Sequence, residues 1–323
     1  MTITSSILAT IGNTPLIRLR EVVRGLDAEV LVKAEYLNPS GSIKDRIALY
    51  MIEGAERAGL LQPGYTIVEA STGNTGAALS FVAAAKGYRM RVFSPKVVAS
   101  PERIRIMQSY AAEIEIIDTD ALQEDEKLRD TSVHGAVIEV IPRQLCLELE
   151  RSDATVWWAR QFKNPDNVAA HREGTGKEIL EQTGGHLHAF LASVGTGGTL
   201  MGVAQALRAH DPRIEIYGVE PAASPHLRGG LENIPIIPGI TDGITVDILK
   251  ANIVTDIISV TDREAIDMAH QLAEKEGLFC GISSGANVLA ALQVAKRLSK
   301  GARVVTVLPD SRDRYLSVEK YTT

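Results

Sequence analysis

Three short loops rich in glycine and hydroxyl residues hold the side chains most suited to chemistry. The first, residues 193–199 (SVGTGGT), joins a predicted strand to a predicted helix. Its small residues leave backbone N–H groups accessible at a helix N-terminus, which favours a bound phosphate, although a tight turn without a ligand has the same composition. A dinucleotide-binding loop needs a third glycine where Leu200 stands. Glu220 follows the next strand, where a ribose-binding acid is expected, so that interpretation is weakened but stays open.

The second loop, residues 71–76 (STGNTG), also lies between a predicted strand and a predicted helix. Hydroxyl groups, an amide and free N–H groups meet there at a helix N-terminus, which suits a carboxylate as well as a phosphate. Capping of the helix by a serine or threonine explains one hydroxyl, but not three together with an asparagine.

The third loop, residues 38–46 (NPSGSIKDR), places Lys44 one turn into a helix behind a Pro/Gly bend. A lysine taken alone is usually a solvated surface cation. Combined with a phosphate loop and a carboxylate loop, its amine completes the set of groups that a pyridoxal phosphate Schiff base requires.

Five motifs follow one another in the order found in cysteine synthases and cystathionine β-synthases. They are NPSGSIKDR, STGNTG, QFKNP (161–165), GTGGT (195–199) and GISSG (281–285). The sequence resembles this family from residues 11–15 (IGNTP) to 308–310 (LPD), nearly its whole length. The resemblance implies pyridoxal 5′-phosphate as the cofactor and a tryptophan-synthase-β-like fold (PLP fold type II).

That fold is an α/β fold with two domains, each a parallel-type sheet flanked by helices. By resemblance, residues 38–158 would form a smaller domain that binds the substrate carboxylate. Residues 1–37 and 159–323 would form a larger domain that binds the cofactor phosphate. The active site would lie between the two domains.

The resemblance also implies a role for each matching residue. Lys44 would hold the cofactor as a Schiff base and act as general acid and base at the substrate α-carbon, and Asn74 would contact the ring hydroxyl. Ser283 would face the pyridine nitrogen, where a neutral hydroxyl disfavours a fully developed carbanion and suits elimination of a β-leaving group. The phosphate would be bound by Gly195, Thr196, Gly197, Gly198 and Thr199. The substrate α-carboxylate would be held by Ser71, Thr72, Thr75 and Gln161.

The reaction that the resemblance implies is β-replacement by a transferase of amino-acid biosynthesis, most simply a cysteine synthase. O-acetylserine or O-phosphoserine would lose its β-substituent to give an aminoacrylate, and a nucleophile would add at Cβ. The alternatives are an amino-acid nucleophile, which would form diaminopropionate or cystathionine, and a serine/threonine dehydratase, which is a lyase. Other classes are an NAD-binding oxidoreductase and a non-catalytic binding partner, which would not need Lys44.

Two departures from the family bear on the substrate. Residues 238–244 read PGITDGI where the family usually has GIGAG, and the extra carboxylate of Asp242 would disfavour an anionic nucleophile and favour an amine. A simple turn at Asp242 is the preferred interpretation. Arg228 lies near the place where some relatives that accept O-phosphoserine use an arginine, but a surface cation in a glycine-rich loop is the preferred interpretation. The second departure, Glu69-Ala70 before the second loop, keeps a hydroxyl at Ser71.

Composition sets the remaining expectations. The 323 residues include 34 Lys+Arg and 40 Asp+Glu, a net charge of −6, with 45% hydrophobic residues, as in an ordinary soluble globular protein. This balance argues against nucleic acid and anionic membranes as partners. The chain start has no signal-peptide pattern and no run nears the ~18 apolar residues of a membrane span, so we expect a cytoplasmic enzyme acting on a small amino acid. Family analogy adds a homodimer.

No metal site is expected. His186 and His188 would share one face of a strand, but no third ligand has suitable spacing, so we interpret both as structural. Cys146 and Cys280 are interpreted as small buried hydrophobic residues rather than a disulfide. The charged segment 310–314 (DSRDR) is interpreted as a salt-bridged end of the last strand rather than part of an active site.

The elements that position these residues alternate between β-branched runs and helical patterns, which predicts parallel sheets covered on both faces. Strands are predicted at 30–36, 66–70, 89–94, 114–117, 187–194, 214–219 and 304–308. Helices are predicted at 77–86, 101–111, 173–182, 200–209, 262–276 and 285–298. Gly87 is expected to end the first of these helices, and Thr261 or Asp262 to cap the fifth.

Overall fold

The computed structural model describes residues 3–96, 99–118, 134–223 and 253–318, and in these ranges the chain is a mixed α/β protein. The strands are β1 (Leu16–Arg18), β2 (Glu29–Ala34), β3 (Thr66–Ala70), β4 (Arg89–Pro95), β5 (Glu113–Ile117), β6 (Val156–Trp158), β7 (Ala189–Ser193), β8 (Glu215–Pro221), β9 (Asp256–Val260) and β10 (Arg303–Leu308). The helices are α1 (Lys44–Arg57), α2 (Asn74–Lys86), α3 (Pro101–Ser109), α4 (His134–Ser152), α5 (Pro165–Ala170), α6 (Gly176–Thr183), α7 (Gly198–His210), α8 (Asp262–Glu276) and α9 (Ile282–Ala295).

The strands form two separate sheets. The larger has the order β1-β2-β10-β7-β8-β9, in which only β1 runs antiparallel to its neighbour. The smaller has the order β5-β4-β3-β6 and is parallel throughout. Parallel strands need helical crossovers, which cover both faces of each sheet and explain the continuous apolar runs of β7 and β10.

Alternating residues of the larger sheet enter two different apolar clusters. Val30 and Val304 pack on one face against α8 and α9, whereas Leu31 and Val305 pack on the other face against α6 and α7. The smaller sheet lies between α1, α2 and α3 on one face and α4 on the other. The predicted α/β architecture is therefore confirmed. The domain division at residue 158 stays a prediction, although β3 to β6 all fall within 38–158.

Local signals predicted several elements correctly. Strand β3 and helix α8 have the expected bounds, and Thr261 forms a full capping box with Glu264. Gly87 ends α2 in the left-handed conformation. Cys146 and Cys280 are both fully buried, as expected.

Other predicted bounds were wrong for identifiable reasons. The strand predicted at 30–36 ends at Ala34, because Glu35–Leu37 forms a short 3-10 turn. The helix predicted at 173–182 begins as a π turn at His171–Thr175 and continues as α6. Strands β1 and β6 were not predicted from the sequence, because three residues are too few to give a periodic signal.

Candidate functional site

A cavity lies at the carboxyl ends of β7 and β10, where parallel sheets commonly bind ligands. Ser193 ends β7 and borders the cavity, and Pro309 and Asp310 border it directly after β10. Several residues that the sequence predicts to contact the cofactor also line it. They are Lys44, Asn74, Gly195, Thr196, Gly197, Thr199 and Ser283.

Four helices begin at this cavity. Lys44 and Asn74 are the first residues of α1 and α2, and Thr199 and Ser283 are the second residues of α7 and α9; all four residues line the cavity. The first N–H groups of a helix have no partner within it, and the helix dipole is positive at that end. A cavity bordered by four such ends favours a ligand with several negative charges.

The predicted phosphate loop has the geometry of an anion cradle. Gly197 precedes α7 in the left-handed conformation, with φ of 85°. As a glycine it has no side chain that could cap the first N–H groups of the helix. A Cβ atom at Gly198 would lie 1.9 Å from Asn167 Oδ1, so only a glycine fits there without movement of Asn167. Within the loop, the N–H of Gly198 donates to Thr196 Oγ1 at 3.4 Å, and Gly195 and Gly197 add no side chain.

Two buried residues that the sequence analysis missed support this loop. Asn167 Nδ2 donates to Thr196 Oγ1 at 3.1 Å, and His171 Nε2 lies 3.2 Å from Thr199 Oγ1. Burial, and secondarily the charge of Lys44, holds the pKa of His171 well below its usual value, so the ring is neutral. Their spacing after the QFKNP motif gave no signal, because both contacts join segments that are distant in sequence.

The predicted carboxylate loop is connected to Gln161. Thr75 Oγ1 donates to Gln161 Oε1 at 2.6 Å, and Gln161 Nε2 donates to the carbonyl oxygen of Ala70 at 3.2 Å. Ser71 Oγ accepts from the N–H of Gly76 at 2.9 Å, so this hydroxyl caps the start of α2. Thr72 is half-buried beside it. The substrate-binding roles of these residues stay predictions.

Glu69, at one of the departures from the family pattern, is fully buried behind this loop. One of its carboxylate oxygens accepts from Trp158 Nε1 at 3.0 Å, and the other accepts from the backbone N–H of Gln161 at 3.0 Å. Burial raises the pKa of Glu69, and these hydrogen bonds oppose the rise. Glu69 therefore fixes the backbone that carries the Gln161 side chain.

Helix α1, which begins at Lys44, is anchored by a buried ionic cluster. Arg46 pairs with Glu35 and with Glu178, each at 2.7 Å, and Lys33 pairs with Glu178 at 2.6 Å. Breaking a buried pair leaves an uncompensated charge, which typically costs about 3–5 kcal/mol. The cluster therefore resists displacement of the helix that positions Lys44.

The interpretation of residues 310–314 as a salt-bridged strand end was wrong. Asp310 is 1% exposed and lines the cavity, and its carboxylate accepts hydrogen bonds from Asn74 and Tyr315. Burial raises the pKa of Asp310, and those hydrogen bonds together with the charge of Arg314 oppose the rise. An acidic residue directly after a buried parallel strand was the signal that could have identified it.

The remaining predicted residues do not join this site in the described ranges. Arg228 and Asp242 lie outside the described residues, and their roles stay predictions. His188 Nδ1 accepts from the backbone N–H of Arg303 at 3.1 Å. Over the ranges described, no group of three or more His, Cys, Asp or Glu side chains is arranged to hold a metal ion. None of the helices in those ranges combines the length and apolar character needed to cross a bilayer.

These groups fit pyridoxal phosphate. Lys44, Asn74, Ser283 and the starts of four helices border one cavity, and the loop that lines it contributes Gly195 and Gly197, which have no side chain. The fold and the cavity together define an α/β enzyme with a lysine beside an anion cradle. The model of the pyridoxal-phosphate dependent enzyme family matches residues 7–310, and the chain belongs to that family. Its cofactor is pyridoxal 5′-phosphate.

Individual relatives are similar over nearly the whole chain. A cysteine synthase of Staphylococcus aureus (strain Mu50) is 43% identical over 318 residues, which is 98% of this chain and 97% of the relative. A crystal structure of a cysteine synthase from Entamoeba histolytica has a TM-score of 0.89 at 34% identity, covering 100% of this chain and 92% of that one. A crystal structure of O-ureido-L-serine synthase has a TM-score of 0.87 at 35% identity, covering 99% and 96%.

Proposed function

We propose that this protein catalyses β-replacement on an activated serine, O-acetylserine or O-phosphoserine, and acts as a cysteine synthase. The main support is the convergence of the Lys44 amine with the N-termini of α2, α7 and α9 on one cavity. A lysine, a phosphate cradle and a carboxylate-binding helix end are the minimum for this chemistry. The 43% identity with a cysteine synthase over 98% of the chain supports the same reaction class.

Lys44 and Ser283 would act on the substrate α-carbon and on the cofactor ring, respectively. The bound cofactor supplies an electron sink for negative charge at the substrate α-carbon. Lys44 would hold the cofactor, and its amine would accept the proton from the substrate α-carbon. Ser283 presents a neutral hydroxyl to the pyridine nitrogen.

The two anionic groups are held at different helix ends. The N–H groups of residues 195–199 bind the cofactor phosphate at the start of α7. The start of α2, with Thr75 and Gln161, binds the substrate α-carboxylate and so fixes the direction in which the α-proton and the β-substituent point. Hydrogen bonds to a charged group are worth about 1.5–3 kcal/mol each, enough to order a small amino acid.

The finer expectations belong to the same proposal. The enzyme would work in the cytoplasm as a homodimer, by analogy with the family, and size-exclusion chromatography with light scattering tests the dimer. Arg228 and Asp242 remain candidates for contact with the β-substituent and with the nucleophile. The fold also serves a protein named O-ureido-L-serine synthase, so the nucleophile is varied in the experiment below.

The test mixes purified holoenzyme with O-acetylserine or O-phosphoserine, follows the visible spectrum, and then adds sulfide or an amine-bearing amino acid. We expect a spectral change with one serine derivative and its reversal by sulfide, with cysteine as the product. Lys44→Ala should lose the covalent link and at least about 10²–10⁴-fold of the turnover, since positioned proton transfer alone is worth that much. Lys300→Ala, at an exposed lysine, is the matched control.

Two results would contradict the proposal. Colourless protein that cannot be reconstituted with pyridoxal phosphate would remove the whole chemistry. Release of pyruvate with ammonia, at a rate that sulfide does not change, would indicate an eliminating lyase of the dehydratase type instead.

A further inference from the structure

The amide of Asn74 is held at both ends by charged side chains. Its Nδ2 donates to Asp310 Oδ2 at 2.5 Å, and its Oδ1 accepts from Arg314 Nη1 at 2.9 Å. A guanidinium has no acceptor, and Asp310 Oδ2 is already the acceptor of a second donor, so the two ends of the amide are distinguished by their partners. The acceptor Asp310 and the donor Arg314 therefore determine which end of the Asn74 amide is Nδ2 and which is Oδ1.

The residues that hold Asn74 are themselves fixed. Asp310, Arg314 and Tyr315 are 1%, 2% and 1% exposed, and the Tyr315 hydroxyl also donates to Asp310 Oδ2. Arg103 lies over the Tyr315 ring, with its Cζ 4.7 Å from the ring centroid. A side chain that is buried and bonded on several sides cannot change rotamer without breaking these contacts, so the network acts as a rigid support.

The backbone around Asp310 is equally constrained. The N–H of Ile43 donates to the carbonyl oxygen of Pro309 at 2.8 Å, one residue before Lys44. The N–H of Gly281 donates to the carbonyl oxygen of Asp310 at 2.9 Å, and a Cβ at Gly281 would lie 2.1 Å from Asp310 Oδ1. The segment that carries Asp310 is thus fixed to the starts of both α1 and α9.

One donor of Asn74 is left over by this arrangement. The amide nitrogen has two N–H groups, of which one is used by Asp310, and Asn74 is half-buried in the cavity wall. We propose that Asp310 and Arg314 are positioning residues, which orient Asn74 so that its second N–H donates to the ring hydroxyl oxygen of pyridoxal phosphate. The inference deepens the proposed function, because it concerns the cofactor of that reaction.

The orientation matters because the two ends of an amide have opposite effects. An N–H donor stabilises the deprotonated, anionic form of the ring oxygen, whereas a flipped amide would present its own oxygen and repel that anion. Replacing Arg314 by Gln removes the only donor to Asn74 Oδ1 among the hydrogen bonds described. Replacing Asp310 by Asn removes the negative charge that selects the Nδ2 end.

The test is a double-mutant cycle on the substrate-free holoenzyme, read from the cofactor spectrum at one pH. Asn74→Ala should lower the ratio of the visible band to the near-ultraviolet band about tenfold, equivalent to about 1.4 kcal/mol. Asp310→Asn and Arg314→Gln should each shift the ratio in the same direction by a smaller factor. Adding Asp310→Asn to Asn74→Ala should cause no further shift, since Asp310 acts through Asn74.

The controls come from the same segment. Arg312 is buried like Arg314, at 6% against 2% exposed, but contacts His270, and Asp313 is exposed, so Arg312→Gln and Asp313→Asn should leave the ratio unchanged. Arg314→Lys keeps a donor and should retain more of the visible band than Arg314→Gln. If Asp310→Asn does not fold, the same cycle is run with Arg314→Gln and Asn74→Ala.

Independent shifts that add in the double variant would overturn the inference, and so would an unchanged ratio in Asn74→Ala. The spectrum is recorded without substrate, so it does not depend on which serine derivative the enzyme accepts. A failure to consume any serine derivative would therefore refute the proposed function while leaving the spectral cycle intact.

Discussion

Gly198→Ala should lower the free energy of unfolding of the protein although it adds only one methyl group. The added Cβ would lie 1.9 Å from Asn167 Oδ1, far inside contact distance. Asn167 is fully buried, and its Nδ2 donates to the carbonyl oxygen of Gln161 at 2.7 Å and to Thr196 Oγ1 at 3.1 Å. Because Asn167 must move to admit the methyl group, both hydrogen bonds are lost or lengthened.

The expected cost follows from those two bonds. Each contributes about 1 kcal/mol, and a buried amide N–H left without an acceptor costs about 1–3 kcal/mol, so we expect a loss of about 2–4 kcal/mol in the free energy of unfolding. Alanine is otherwise the better helix former by up to about 1 kcal/mol, so a net loss has to come from the clash. The melting temperature should fall by roughly 3–6 °C for a chain of this size.

The site should respond as well, because Asn167 contacts the Gln161 backbone and the phosphate loop together. We expect weaker binding of both pyridoxal phosphate and the amino acid, measured by reconstitution of the apoenzyme and by spectral titration. In the background of Asn167→Ala the clash is absent, so Gly198→Ala should cause little further loss there. A Gly198→Ala variant with unchanged melting temperature and cofactor affinity would refute the reasoning, and so would equal losses in both backgrounds.

Three further predictions follow from the site and its supports. Gln161→Ala should raise the Kd for the amino acid about 10–100-fold and leave cofactor binding intact; expulsion of the cofactor would mean that the loop roles are misassigned. Burial alone would raise the pKa of Glu178, but hydrogen bonds and charge from Arg46 and Lys33 lower it from 4.5 to about 2, so the stability it contributes is present above pH 4.5 and lost as the pH falls through about 2. Glu178→Gln should flatten that part of a stability–pH profile measured by denaturant unfolding, and a retained slope would contradict this origin. Burial raises the pKa of Asp45 from 3.8 to about 6, so stability is lost as the pH rises through that range. Asp45→Asn should remove this loss from the same stability–pH profile, and an unchanged loss in the variant would contradict this origin.

The sequence predicted the elements whose signals are local. The capping pair Thr261 and Glu264 and the left-handed Gly87 lie within a few residues of the helix ends that they define. The three loops of the site were recognised in the same way, because each joins a strand to a helix. Most of the described residues that were predicted to contact the cofactor line one cavity. No single motif predicted that the motifs would meet there.

What the sequence did not reveal are contacts between distant segments. Asn74 and Asp310 are 236 residues apart, and Asn167 and Thr196 are 29 apart, so no periodicity or cap links them. The segment 310–314 was misinterpreted because a dense run of charges usually faces water. Here Asp310, Arg312 and Arg314 are buried, and each is hydrogen-bonded to a side chain that is distant in sequence.

The attachment of residues 309–314 to the rest of the site has a consequence for biosynthesis. This segment holds the backbone before Lys44 through Pro309, the start of α9 through Asp310, and the Asn74 side chain through Asp310 and Arg314. A ribosome-bound chain that has emerged only as far as β10 contains Lys44 and both glycine loops, but it lacks residues 309–314, which connect these parts of the site. We therefore expect the complete cofactor site to form only after residues 309–314 have been translated.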